Sequence, residues 1–316
     1  KMTAQVAASL TEGAPLDASQ YGRDASSVLR QEKAAREKEL GEKLNVLLDS
    51  TSQRERRRIS RGRLTGAWLT AEPSTLNGTE LSCDEFRDSL RIRLGLVPMG
   101  LPERCDGCQQ RFTVGHALQC KVGGLVRFRH EELAQEWHQL CAQALCASAV
   151  SDEPKIPTCQ AAGNPEWSQS ELRGDVGAHG FWTRGTTAIF DVRVTDTDAP
   201  SNRGLDPVKV LRRQETEKKS KYGERCNQTQ RHFTPLVFSV DGLEGGEARA
   251  ARKRLASRLA AKWKRQYSVL CGFVRARLAF ALVRATSRCL RGTRDPYLRQ
   301  APSLEWVSGT GSRLLQ

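Results

Sequence analysis

The chain is 316 residues long, enough for two or three compact units, and its 38% hydrophobic residues can build at least one core, which excludes a wholly disordered chain. Fifty Lys and Arg against 36 Asp and Glu leave a net charge of +14, which favours a polyanionic partner, nucleic acid before a membrane surface because no lipid-anchor motif accompanies the charge; a basic protein without such a partner is the plainer reading. Ten cysteines without an N-terminal signal segment read as free or metal-bound thiols rather than a disulfide framework, and the longest apolar run, "LCGFVRARLAFALV" (270–283), is too short to span a bilayer and carries Arg275 and Arg277.

The opening "KMTAQVAASL" reads as a fragment of a longer reading frame, and residues 1–25 are rich in Ala, Ser and Gly without a period. Residues 25–50 then read as a charged helix with Glu-to-Lys spacings. The cluster "SQRERRRISRGRL" that follows can grip phosphates or be an exposed basic helix end, and both readings stay open. A turn-rich connector (67–81) leads to an amphipathic helix near 82–94, with Phe86, Leu90 and Leu94 as its apolar side. After a cysteine-rich module at 100–125, apolar residues recur at helical spacing over 126–149. Strand-like pieces follow at 148–156, 173–182 and 186–196, then a helix at 206–228, a strand at 232–242, and two Arg- and Lys-rich helices at 245–266 and 268–291. Helix, three strands, helix, strand predicts an α/β unit around a mixed central sheet. The organisation expected is a helical N-terminal region and linker, partly disordered, over 1–99, a knuckle over 100–125, the α/β domain over 126–295 and a flexible tail over 296–316.

"CDGCQQRFTVGHALQC" supplies Cys105, Cys108, His116 and Cys120 with two, seven and three residues between them. Two thiolates two residues apart chelate from one tight turn, and a His and a Cys four positions on reach the same ion from one helical turn, which makes a closed, structural zinc site. The other seven cysteines show no such spacing and read as core or incidental thiols.

If 173–182 and 186–196 form a hairpin around Thr183-Arg184-Gly185, then Asp175 and Asp191 fall opposite or nearly opposite each other. Directly opposed Cβ atoms lie about 5 Å apart, close enough for two carboxylates to share one divalent ion. Alternation sets Phe190, Val192 and Val194 on one face and Asp191, Arg193 and Thr195 on the other, so Asp191 can line a cleft without deep burial. In the next helix Lys218, Lys221 and Tyr222 share a side, and a lysine beside two metal-bound carboxylates can orient an attacking water and stabilise a phosphorane-like transition state. The same "EKKSKY" stretch also reads as a solvated basic face. Asp196 and Asp198 read as loop or N-cap residues, or as metal neighbours.

On these residues the stretch from about 104 to 242 resembles the C-terminal region of non-LTR retrotransposon proteins that use a restriction-enzyme-like endonuclease of the PD-(D/E)xK type: the Cys-Cys-His-Cys knuckle, then "GGLVRFRH", then the acidic pair. "RGD" stands where that family often has "RPD" or "KPD", keeping Asp175 as the acid. "DVR" stands where related nucleases have D/E-x-K, so Arg193 takes the usual lysine position, and arginine is a poor proton carrier at neutral pH. "KKSKY" is similar to the family's helix motif that takes over the lysine role, matching at Lys218, Lys221 and Tyr222.

The resemblance implies a restriction-endonuclease-like core with a small zinc knuckle and additional N- and C-terminal helices. It implies an endodeoxyribonuclease that uses Mg2+ or Mn2+ held by Asp175 and Asp191, with Lys218 and Lys221 positioning water and stabilising charge and Arg193 on the scissile phosphate. Glu131, or its neighbour Glu132, stands where this superfamily often carries an extra acidic ligand, or is simply a glutamate drawn to the first turn of a helix, while His130 reads as a helix-end hydrogen-bonder. The role implied is nicking chromosomal DNA so that its 3′ end primes reverse transcription. DNA and element RNA are the implied partners, without a membrane, with a reverse transcriptase region upstream in the same polyprotein and a nuclear location. Two competitors remain: an inactive nucleic-acid-binding module, kept open by Arg193, and a stand-alone repair or junction-resolving nuclease.

Overall fold

The computed structural model describes residues 18–62, 64–157, 172–202, 204–295 and 297. The expectations for residues 1–17 and for the tail, Tyr297 apart, lie outside them. The chain divides into two compact units, 1–56 and 57–316. In the first, α1 (Ala18–Asp49) is a charged helix that begins earlier than its Glu-to-Lys spacing suggests. The exposed Glu39–Lys43 pair closes at 2.6 Å and contributes a few tenths of a kcal/mol.

The second unit opens within α2 (Gln53–Gly62) and continues through α3 (Ala67–Thr70), α4 (Cys83–Arg93), α5 (Val114–Gln119) and α6 (Leu125–Ala144). The strands β1 (Val150–Asp152), β2 (Lys155–Ile156), β3 (Leu172–Arg173), β4 (Val176–His179) and β5 (Thr187–Thr195) come next, then α7 (Pro207–Gln228), β6 (Arg231–Ser239), α8 (Gly246–Trp263) and α9 (Tyr267–Arg291). The architecture is mixed α/β, with a central mixed sheet flanked by helices. The sheet runs β1-β4-β5-β6, antiparallel across the first three strands and parallel between β5 and β6. A parallel neighbour cannot be reached by a tight turn, and α7 is the crossover that makes β6 possible.

Alternation along β5 decides the two faces. Phe190 and Val192 enter the main core with Trp137 and Leu133 of α6 and Leu255 and Leu259 of α8. Ile189 points the other way, into a smaller cluster with Tyr222 and Cys226 of α7. Both expected long strands are broken. At 148–156 the break falls at Glu153, whose φ is +42°, before Pro154, which cannot donate to a ladder. At 173–182 it falls at Gly174 and leaves Asp175 between β3 and β4. An added Cβ at Gly174 would lie 2.4 Å from Ile189 Cγ2, and its N–H donates to Pro154 O at 3.1 Å, so this chain has no room for a proline there.

Residues 57–99 pack within the second unit instead of trailing as a linker. Trp68 of α3 is buried among Ala276, Phe280 and Val283 of α9. Of the apolar stripe expected on α4 only Leu90 packs inward, against the Trp68 cluster; Phe86 and Leu94 are exposed, and Asp88 and Ile92 are buried instead. The helix is rolled because Arg291 of α9 holds the buried Asp88 through two bonds, 2.6 and 2.8 Å long, a partner two hundred residues away. The basic cluster before α3 is also partly spent inside the protein. Arg61 reaches Asp198 at 2.6 Å and Asp241 at 2.9 Å, and Arg58 reaches Asp198 at 3.2 Å. Among the described residues no helix is long and apolar enough to cross a membrane, and the nine described cysteines are free thiols.

Candidate functional site

The first candidate centre is the knuckle. Its chain reverses where Gln109 N donates to Cys105 O and Cys105 N to Gln110 O, both at 2.9 Å, and Gln109 takes a φ of +59°. Gly107 is needed for space: a Cβ there would come within 2.8 Å of both Arg294 Cβ and Val122 Cγ1. Thr113 caps α5 by accepting from His116 N at 3.0 Å, which starts the helical turn that carries His116 to Cys120.

The four donor atoms of Cys105, Cys108, His116 and Cys120 lie within 4.8 Å of one another. Cys105 Sγ and Cys108 Sγ are each 3.9 Å from Cys120 Sγ, and Cys108 Sγ is 3.3 Å from His116 Nε2. A tetrahedral ion with metal–sulfur bonds of 2.3 Å sets its sulfurs about 3.8 Å apart, so this cluster can hold a metal ion such as zinc. Burial raises the Cys105 thiol, but hydrogen bonds from the Cys108 and Gly107 backbone and from His116 outweigh it and bring the pKa down to about 6. A thiol so placed releases its proton to solvent readily when a metal binds its sulfur.

Two buried arginines brace the turn that holds the ligands. Arg129 of α6 donates to Leu118 O at 3.1 Å. Arg294, 1% exposed, donates to Ala117 O at 3.1 Å and Cys289 O at 2.7 Å and lies over the Phe112 ring. A Cys3His site around a divalent ion carries a net negative charge, and these cations stand on the carbonyls of the short helix that bears His116 and ends at Cys120.

The second centre forms around β5. The β4–β5 ladder ends with Val176 opposite Phe190, and Asp175, just before β4, lies close enough to Asp191 for its charge to act on that carboxyl. Asp175 N donates to Phe190 O at 2.8 Å, and Asp175 Oδ2 accepts from Val192 N at 2.5 Å. Lys218 Nζ forms an ion pair with Asp191 Oδ2 at 2.5 Å. Asp191 is 4% exposed, which corrects the expectation of a carboxylate at an open cleft: α7 lies across that face of β5 and covers it with Lys218 and Tyr222. Burial, helped by the Asp175 charge, raises the Asp191 pKa although Lys218 opposes it. Tyr222 stacks on Phe233 with ring centres 5.0 Å apart, and burial with Asp191 nearby pushes its hydroxyl up to about 12.

The other expected site residues distribute unevenly. Lys221 is exposed, with its ammonium 4.8 Å from the centre of the Tyr222 ring, and touches neither carboxylate. Arg193 pairs with Glu217 of α7 at 3.0 Å. Glu131 is drawn to Arg127 at 2.6 Å, and Glu132 to Arg288 at 3.4 Å, so neither joins the acidic pair. The residue of α6 that does join it is His130, whose Nε2 is 3.0 Å from Asp175 Oδ2. One position along a helix turns the side chain by about 100°, which separates His130 from Glu131. Burial lowers the His130 pKa, but the bond to Asp175 and its charge outweigh this and leave it raised. Asp198 is held by Arg58 and Arg61, and Asp196 accepts from Gln119 at 3.0 Å and from Asp198 N at 2.9 Å, so both serve the loop after β5.

The constellation His130, Asp175, Asp191, Lys218 and Tyr222 joins two acids, two bases and a phenol drawn from α6, β5, α7 and the segment before β4. No family model matches the chain, and a search of curated proteins finds no significant match.

Proposed function

We propose that the second unit is a metal-dependent DNA endonuclease with a restriction-endonuclease-like core, the nuclease of a retrotransposon, nicking target DNA by phosphodiester hydrolysis to prime reverse transcription. The observation that carries this reading is the closeness of the two carboxyls, Asp175 held on Val192 N beside Asp191, with Lys218 at 2.5 Å from the second carboxylate. Two like charges held so close on neighbouring backbone destabilise the fold. A pair of hard oxygen donors so arranged suits Mg2+ or Mn2+, and Asp175 and Asp191 are the residues that would hold it. The ion would supply Lewis-acid stabilisation of the phosphoryl oxygens and a more acidic bound water.

The protein's own groups have separate tasks in this reading. His130 Nε2 and Val192 N together fix Asp175 Oδ2, so that carboxylate keeps one orientation. Lys218, lying against the Tyr222 ring, neutralises Asp191 and can turn its ammonium to a developing negative charge. Lys221 stays exposed beside the same ring, where a backbone phosphate can reach it. Arg193 contacts the scissile phosphate in this scheme only by leaving Glu217. The knuckle carries zinc in a structural role, DNA and element RNA are the partners, and the reverse transcriptase region lies upstream in the same polyprotein, acting in the nucleus.

A catalytically inactive nucleic-acid-binding module is the second reading, favoured by the ion pair that already neutralises Asp191 and by arginine at position 193. Incubating the purified chain with supercoiled plasmid, with and without Mg2+, separates the two. Nicked circles that need Mg2+ and vanish in Asp175→Ala and in Asp191→Ala, with DNA binding retained, support the nuclease. Undiminished cleavage by both variants rules this site out, and salt-dependent binding indifferent to Mg2+ with no product supports the binding module.

A further inference from the structure

The charge of the chain is not spread evenly. Residues 248–294 contain fourteen Lys and Arg and no Asp or Glu, so the remaining residues, with 36 of each sign, are neutral as a set. The whole excess of +14 therefore rides on α8 and α9 and the few residues after them.

On α9 most of that charge is compensated. Arg277, Arg288 and Arg291 meet Glu136, Glu132 and Asp88. The second half of α8 behaves differently. Arg254, Arg258 and Lys262 follow one another at four-residue spacing and form one stripe. Their partners are carbonyls: Arg254 donates to Phe181 O and Trp182 O, Arg258 to Phe181 O and Gly180 O, and Lys262 to Gln143 O and Leu145 O. A carbonyl satisfies a donor but brings no net charge, so the positive potential of the stripe survives these bonds. Burial lowers the Arg258 pKa, and Arg254 beside it adds to the effect, as uncompensated like charges do.

Around the stripe stand Lys253, Lys264 and Arg265, all exposed, whose side chains make no hydrogen bond or ion pair among the described residues. At the corner between α8 and α9 two aromatic rings also face water. Trp263 is 40% and Tyr267 45% exposed, and Trp263 meets Phe273 edge to face. Uncompensated cations interleaved with exposed rings answer a ligand that has a phosphate backbone and unstacked bases. A duplex offers only the first.

We propose that the α8 stripe and the α8–α9 corner bind single-stranded nucleic acid, as a surface separate from the Asp175–Asp191 site. The two are kept apart by the sheet: α8 packs on the face of β5 that carries Phe190 and Val192, whereas Asp191 lies on the face covered by α7. This surface does not depend on the nuclease reading, and it adds to it a place where a displaced or templating strand is held away from the acidic pair.

The test is fluorescence anisotropy of a labelled oligothymidylate with the full chain, without Mg2+, across about 50 to 200 mM salt. Replacing Lys253, Lys264 and Arg265 together by alanine removes no side-chain hydrogen bond or ion pair among the described residues, so the variant should melt as the parent does. Its log–log salt slope should be shallower by about 2, at roughly 0.7 per lost phosphate contact, and its low-salt affinity more than tenfold weaker. Trp263→Ala should weaken oligothymidylate binding about tenfold with the slope unchanged. Asp175→Ala should leave this binding as it is, so failed plasmid nicking and failed strand binding are separate results. An unchanged slope in the triple variant overturns the proposal. So does a Trp263→Ala variant that binds oligothymidylate as the parent does, or capture of anionic phospholipid vesicles in place of the oligonucleotide.

Discussion

The knuckle and the acidic pair are both clusters of ionisable groups, yet they are built in opposite ways. The knuckle draws all four donors from sixteen consecutive residues, 105–120, and sets them within 4.8 Å of one another. The acidic site gathers His130, Asp175, Asp191 and Lys218 from across eighty-nine positions, 130–218, and its two carboxylates hold each other off until cations intervene. A local cluster of soft donors is made by backbone turns and waits for an ion. A dispersed cluster of like charges is imposed by the sheet, and its cost is met by α6 and α7. The first should fail when its ion is removed, and the second should relax when one of its charges is.

Chelation of the metal, or Cys105→Ser, should give the largest effect, on the order of 5 kcal/mol, because Cys105 and Cys120 are buried in a cluster with Phe112, Ile92 and Leu290. Hydrogen exchange would report it as lost protection in α5 and at the end of α9, with the β5–β6 ladder retained. Equal loss in both places would show that the knuckle and the sheet unfold as one.

Asp198 sharpens the contrast, since it lies seven residues after Asp191 but is fully compensated. Burial raises its pKa, and Arg61 and Arg58 overcome that and hold it below the ordinary 3.8. Its stabilisation is therefore present above that value and lost as pH falls through the lower folded value. Asp198→Asn should cost about 3 kcal/mol near neutral pH, because Arg61 is buried and keeps only Asp241. Urea unfolding at neutral and acid pH should show the difference between parent and variant shrinking in acid.

Asp191→Asn should give the smallest change in stability, within about 1 kcal/mol and in the stabilising direction, because burial and Asp175 already disfavour its charge. Thermal melts check this directly. A loss as large as that of Asp198→Asn would mean that the Lys218 ion pair outweighs the burial cost.

Much of the acidic site was legible before the fold was known. The hairpin brings Asp175 near Asp191, because the turn sets the register of β4 on β5, which runs from His179 opposite Thr187 to Val176 opposite Phe190. Lys218 and Tyr222 followed from helical spacing on α7. The sequence points to Glu131 rather than His130, since it shows that both lie on one helix but not which way the helix is rolled. The same ambiguity misplaced the inner face of α4, where Asp88 and not Phe86 turns inward to Arg291.

By itself, then, the order of residues determined what depends on short spacings: the four knuckle ligands, the alternation of β5, the register of its hairpin and the acid-free run that carries the charge. Tertiary structure alone decided what depends on partners far along the chain: the burial of Asp191 under α7, the bracing of the knuckle by Arg129 and Arg294, and the pairing of Arg61 with Asp198 and Asp241. Spacing fixes which side chains share a face, whereas the free energy of a charge depends on what covers it, and the cover comes from other elements.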